Sequence, residues 1–134
     1  MKKRGVLNAR LSEIIAGMGH SDRLVICDSG LPVPRSSALV DLALTREIPR
    51  FLDAVRVILE EAQVEVAVVA TEMESVNKAT YQELIKMLPG VKIIKVSHEE
   101  FKKMTQDGNN ISFVRTGEVT PYANVILVAG VTFD

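Results

Sequence analysis

Gly19-His20-Ser21-Asp22-Arg23-Leu24-Val25-Ile26-Cys27-Asp28-Ser29-Gly30-Leu31-Pro32-Val33-Pro34 is the stretch that decides how this chain folds. Leu24 to Cys27 is an unbroken apolar run of strand length, the pattern of a strand buried on both faces of a parallel sheet. Polar groups flank it: His20 lies just before it and Asp28 closes it. Beyond Asp28, Ser29-Gly30 and two prolines make the chain turn and stay irregular. A carboxylate where a buried strand opens into a Gly/Pro loop is a common place for chemistry in α/β proteins. The structural alternative is that Asp28 only caps its turn through an Asx hydrogen bond.

Upstream, Asn8 has the place of an N-cap for a helix running to about Met18, with Leu7, Leu11, Ile14, Ile15 and Met18 on one face. Gly17 and Gly19 end it. His20 then lies just past a helix C-terminus, where a histidine can simply meet the last carbonyls. Downstream, Asp41 to Thr45 reads as a short strand or an edge segment. Pro49 reads as the first residue of a helix that carries Phe51, Leu52, Val55, Ile58 and Leu59 at helical spacing. Val64 to Ala70 predicts a strand, with Thr71, Glu72 and Glu74 behind it. Asn77 or Thr80 starts the next helix, which stops at Pro89-Gly90; Thr80 and Glu83 have capping-box spacing. Val91 to Val96 predicts another strand. Ser97 and Glu100 form a second capping box, which sets His98 in the first helical turn directly after that strand. Ile111 to Arg115 and Val125 to Ala129 predict the last two strands.

Apolar strands alternating with amphipathic helices predict one α/β domain over residues 1–134, a Rossmann-like three-layer sandwich with a largely parallel sheet. Ligands of such sheets collect outside the carboxyl ends of the strands. Asp28, Glu72 and His98 are all expected there, and their coincidence argues for a site more strongly than any one of them.

Bulk composition narrows the function. A chain of 134 residues, 47% hydrophobic, has enough apolar surface for one real core. A net charge of −1 without a basic stripe, with four Phe, two Tyr and no Trp, argues against nucleic acid as a partner. The single cysteine, Cys27, sits inside an apolar strand with no basic neighbour, so it reads as a small buried hydrophobe and not a nucleophile. Met1-Lys2-Lys3-Arg4 looks like the start of a signal peptide, but Asn8, Arg10, Ser12 and Glu13 interrupt any apolar segment behind it. No run approaches a membrane span, and a cytoplasmic location is expected. Neither a Gly-x-Gly-x-x-Gly after a strand nor a P-loop, a Gly-x-Ser-x-Gly or a His-Glu-x-x-His occurs.

Four separated motifs carry a resemblance. They are Gly19-His20-Ser21-Asp22, Cys27 to Pro34, Ser97-His98-Glu99-Glu100-Phe101-Lys102, and Arg115-Thr116-Gly117-Glu118-Val119-Thr120-Pro121-Tyr122-Ala123-Asn124. In this order they resemble the ribose pyranase and L-fucose mutarotase family. Gly30-Leu31-Pro32 and Tyr122-Ala123-Asn124 are similar to its ribose branch, since fucose members carry His-Phe-Pro and Tyr-Gly-Asn there. The resemblance implies a cofactor-free isomerase that interconverts the pyranose and furanose forms of D-ribose, thereby supplying ribokinase; that chemistry involves no redox step, and with no compact ligand motif no metal is expected. It implies His20 as the proton donor. Asp28, His98, Tyr122, Ala123 and Asn124 would contact the sugar. It further implies a homodecamer of two stacked pentameric rings with sites at subunit interfaces.

The residue types suit that chemistry. Opening a cyclic hemiacetal needs one proton delivered to the ring oxygen and one taken from the anomeric hydroxyl. A histidine suits such transfers near neutral pH, and a carboxylate with Tyr and Asn suits polyol recognition. Tyr122 and Asn124 are two apart, so in an extended segment they would point to the same side. Three rival readings use the same residues. His20, His98 and Asp28 or Glu72 have the composition of a two-His-one-carboxylate metal centre. The same pocket would also serve a mutarotase of another sugar such as L-fucose, or a non-catalytic sugar-binding protein.

Overall fold

The computed structural model describes residues 1–134. In chain order the elements are α1 (Ala9–Gly17), β1 (Arg23–Cys27), β2 (Ala38–Asp41), α2 (Phe51–Leu59), β3 (Val64–Ala70), α3 (Thr71–Val76), α4 (Lys78–Lys86), β4 (Lys92–Val96), α5 (His98–Thr105), β5 (Ile111–Arg115) and β6 (Val125–Ala129). The strands form one sheet in the order β2-β5-β1-β6-β3-β4. β1 is central, as its apolar run requires: it pairs in parallel with β5 and antiparallel with β6. β3 also pairs antiparallel with β6 and parallel with β4. Five strands therefore run one way and β6 runs against them.

Strand alternation divides the core between two layers of helix. Leu24 and Ile26 face a cluster with Leu11, Phe51, Val55, Ile58 and Leu84, contributed by α1, α2 and α4. Val25 and Cys27 face the other layer, where fully buried Phe101 anchors α5. Burial of a side chain of that size contributes about 1.5–3 kcal/mol. The three-layer α/β sandwich read from the sequence is the observed one. No helix is long and apolar enough to cross a membrane.

Local expectations hold where side chains act locally. Asn8 caps α1 by accepting from the Leu11 N–H at 2.9 Å, and Ser97 caps α5 by accepting from the Glu100 N–H at 3.1 Å. Four fail. Leu7 is exposed, because it precedes the cap and lies outside the apolar face of α1. β2 covers Ala38–Asp41 and not residues 41–45: Asp41 ends it by accepting from the Ala43 N–H at 3.1 Å and pairing with Arg115 at 2.7 Å. Pro49 does not open α2. Its peptide bond with Ile48 is cis, Arg50 is the extended N-cap, and the helix begins at Phe51. Helix α3 starts at once at Thr71, breaks at Asn77 and resumes as α4, so Thr80 is interior and caps nothing.

Direction places the site. The five like-directed strands end at one edge of the sheet. β6 begins at that same edge, so the segment before Val125 is delivered beside the loops that follow β1, β3 and β4.

Candidate active site

At this carboxyl edge Asp28 is held on both oxygens. Oδ1 accepts from the Gly30 and Leu31 N–H groups, each at 2.9 Å, so the Asx turn expected as the plain structural role is real. Oδ2 accepts from the Asn124 side-chain amide at 3.1 Å, and the Asp28 N–H donates to Asn124 Oδ1 at 2.8 Å. Asn124 is 1% exposed, so this reciprocal pair is a buried clip between the end of β1 and the start of β6. An ionised carboxylate has about four acceptor positions. Three are used here, and one on Oδ2 remains free for a ligand hydroxyl.

His98 stands opposite. As the first residue of α5 its N–H has no partner inside the helix, and the Glu72 carboxylate accepts it with both oxygens, at 3.0 and 3.1 Å. The imidazole lies edge-on to Tyr122, ring centres 5.0 Å apart, and nearly parallel to Phe101 at 6.3 Å. Its Nδ1 is buried without a protein partner. Tyr122 takes the left-handed backbone region, φ 59°, which a non-glycine residue holds only when its surroundings impose it. They do: Asn77 donates to Thr120 Oγ1 at 2.9 Å and to the Pro121 carbonyl at 3.0 Å, and the Asn124 N–H donates to the Tyr122 carbonyl at 2.9 Å.

Glu118 secures the same loop from below. It is 2% exposed, yet its carboxylate accepts from Arg50 at 3.0 and 3.2 Å, from the Phe51 N–H at 3.1 Å and from Thr120 Oγ1 at 2.9 Å. Burial alone would raise its pKa. The Arg50 guanidinium, the Phe51 N–H and the Thr120 hydroxyl outweigh that and hold it below the ordinary 4.5. Gly117 beside it has no room for a side chain, since a Cβ would collide with the Thr45 carbonyl and lie 2.7 Å from the Ile48 nitrogen.

These parts enclose a cleft of about 400 Å³, whose walls include Asp28, Leu31, Pro32, His98, Lys102 and Tyr122. The size is that of a small-molecule site, roughly 300–1,000 Å³. Lys102 pairs with Glu99 at 2.8 Å. Asn124 and Ala123 are buried and do not line this cleft. The turn at Tyr122 breaks the extended geometry that would have pointed Tyr122 and Asn124 to one side. Cys27, fully buried behind Asp28, has its thiol pushed up to about 12 by burial and by the Asp28 charge, so it is no nucleophile at neutral pH.

His20 is elsewhere. It precedes β1, whereas Asp28 follows it, and a five-residue strand spans about 17 Å. Its turn is tied to the end of β6 by the Ser21 N–H donating to the Ala129 carbonyl at 2.9 Å. Its Nε2 lies 3.0 Å from Glu65 Oε1 at the start of β3. One chain thus brings Asp28, His98 and Tyr122 together and leaves His20 on the opposite edge of the sheet. The two-His-one-carboxylate grouping weighed from composition is not formed within a chain.

Comparison with known proteins bears on this arrangement. Residues 1–132 match the RbsD / FucU transport protein family. The chain belongs to this family. Within it, the chain is similar to the D-ribose pyranases of Coprothermobacter proteolyticus and Symbiobacterium thermophilum, 56% and 55% identical over 133 residues, or 99% of this chain and 100% of each relative. Among solved structures, Bacillus subtilis RbsD complexed with D-ribose superposes with a TM-score of 0.93 at 44% identity, over 99% of this chain and 100% of that one. The fucose mutarotase of Streptococcus pneumoniae, in complex with L-fucose, shares the fold at a TM-score of 0.72 and 20% identity, covering 95% of each chain.

Two supporting residues escaped the sequence reading of this family member. Asn77 is the helix start read for it, the N-cap of α4, but its second role went unseen: at the break between α3 and α4 its amide holds the Tyr122 loop. Glu118 stood in a quoted motif without a role. A lone carboxylate in a run of Thr, Gly, Val and Pro was its only signal.

Proposed function

We infer that this chain is a D-ribose pyranase, an isomerase that exchanges the pyranose and furanose forms of D-ribose. The observation that carries this is full-length similarity to D-ribose pyranases, together with a cleft whose open groups suit a polyol. Asp28 offers its free lone pair to a sugar hydroxyl. His98 and Tyr122 offer ring and hydroxyl donors and acceptors. Asn124 and Ala123 belong to the sugar site as its backing, with Asn124 acting on the sugar through Asp28.

In the proposed reaction His20 gives a proton to the ring oxygen as the C1–O bond breaks. The anomeric hydroxyl loses its proton to a base, and its electron pair becomes the aldehyde carbonyl. The 4-hydroxyl then adds to C1 in place of the 5-hydroxyl and the proton transfers run in reverse. No redox change or group transfer occurs, so neither metal nor cofactor enters the scheme. General acid–base help of this kind is worth roughly 100- to 10,000-fold per well-placed group.

Because His20 and Asp28 sit on opposite edges of one sheet, the scheme needs His20 of one subunit at the cleft of another. A homodecamer of two pentameric rings, working in the cytoplasm and supplying furanose to ribokinase, is the assembly and setting we propose. NMR exchange spectroscopy on ribose anomers, with chelator present, tests the activity. The expected result is faster pyranose–furanose exchange for ribose than for L-fucose. Ribose binding without accelerated exchange would mean a sugar-binding protein instead, and equal rates on both sugars would remove the ribose branch.

A further inference from the structure

We propose that Glu65 is the positioning residue of His20, and that it dedicates Nδ1 of that imidazole to proton transfer. The inference rests on the proposed role of His20 and adds a residue to it.

The geometry is specific. His20 sits on a tight turn in which Asp22 Oδ2 accepts the Gly19 N–H at 2.8 Å and Ser21 takes φ 73°. Together with the Ser21–Ala129 hydrogen bond, this fixes the main chain of the turn. Asp22, the nearer carboxylate in sequence, is occupied in closing the turn. Glu65 reaches His20 from a different element, the start of β3, at 3.0 Å. The residue just past β6 is small. Gly130 follows the strand, donates its N–H to the Gln63 carbonyl at 3.0 Å, and a Cβ there would lie 3.2 Å from the Glu65 Cβ. The lack of a side chain at Gly130 leaves Glu65 its position.

Chemistry then assigns the nitrogens. An ionised carboxylate only accepts hydrogen bonds. The nitrogen facing Glu65, Nε2, must therefore carry its hydrogen whether the ring is neutral or cationic. The proton that comes and goes is the one on Nδ1. When the imidazolium gives this proton to the sugar ring oxygen, the ring left behind is the Nε2–H form, which Glu65 continues to hold. A side chain half in water has several rotamers, and an orienting partner selects one. Catalytic histidines are commonly oriented by such a third group. As an exposed ion pair the contact adds little stability, so its value lies in orientation.

A double-mutant cycle on the assembled protein tests this, with ribose exchange measured by NMR and split into kcat and KM. Glu65→Ala should lower kcat by about tenfold or more, the scale of impaired acid–base help, with KM and melting temperature nearly unchanged. Glu65→Gln, whose carbonyl still accepts from Nε2, should recover part of that loss. In a His20→Ala background, Glu65→Ala should cost nothing further. If Glu65→Ala exchanges ribose at the parent rate while His20→Ala does not, Glu65 has no such role and the assignment of His20 survives. The same conclusion follows if the two losses multiply. If His20→Ala itself keeps the parent rate, both assignments fall.

Discussion

The two edges of the sheet are built differently. At the carboxyl edge Asp28 and Asn124 exchange reciprocal hydrogen bonds, Glu72 accepts the His98 N–H, Glu118 accepts the Phe51 N–H, and Asn124 and Glu118 are almost wholly buried. At the other edge His20 stands on a turn with about half its side chain exposed and one carboxylate partner. The first edge is a hydrogen-bonded wall around a cleft. The second is a projecting group with nothing on its own chain to act upon. Under the scheme proposed above, the proton-transfer and sugar-holding parts are separated by a strand within one chain and would meet only between chains.

The comparison is sharpest in stability. Asn124→Ala removes both halves of the clip and leaves the Asp28 N–H unpaired, which costs about 1–3 kcal/mol. Ribose should also bind more weakly, because Asp28 Oδ2, the oxygen with a lone pair free for the sugar, loses the one contact that holds it. His20→Ala at the other edge should change stability by no more than about 0.5 kcal/mol, as for most exposed positions. Denaturant unfolding of the two variants checks this. Equal losses would mean that the edges are alike, and a loss of ribose affinity in Asn124→Ala without any loss of stability would mean that Asn124 reads the sugar directly.

A smaller effect should appear at Glu118 and depend on pH. Its folded-state pKa lies below the ordinary 4.5, so its contribution to stability is complete above that value and is lost as pH falls through the depressed pKa. Glu118→Gln keeps an acceptor, and the Arg50 head stays half in water, so the cost at neutral pH should be about 1 kcal/mol. Melting curves from neutral pH down into the acid range should bring parent and variant together below the carboxylate range. A gap that stays constant would show that the Glu118 charge carries none of the difference.

Much of the fold was legible because its strands are apolar runs. β3, β5 and β6 have the residues read for them and β1 adds only Arg23, since Leu24-Val25-Ile26-Cys27 and its counterparts have no other way to be buried. β2 was misplaced because only Val40 in it is buried, too little to make a pattern. The direction of β6 was not legible at all: an apolar run looks the same in either orientation, and only pairing decides. Asp28 and His98 were found because each follows a strand. The sidedness of Tyr122 and Asn124 was missed because Tyr122, without a glycine to announce it, turns through φ 59°. The contacts of Glu72 and Asn77 join segments 26 and 43–44 residues apart, beyond the reach of any local rule.

The most direct test of the account is complementation between subunits. Asp28→Ala and His20→Ala proteins, each nearly inactive alone, are unfolded together, refolded as a mixture and assayed for ribose exchange by NMR. A cleft from a His20→Ala chain then meets an intact His20 from an Asp28→Ala chain. In random assemblies of equal parts about a quarter of the sites are complete, so exchange should return to about that fraction of the parent rate. A mixture no faster than its two components would contradict the claim that the site is shared between chains.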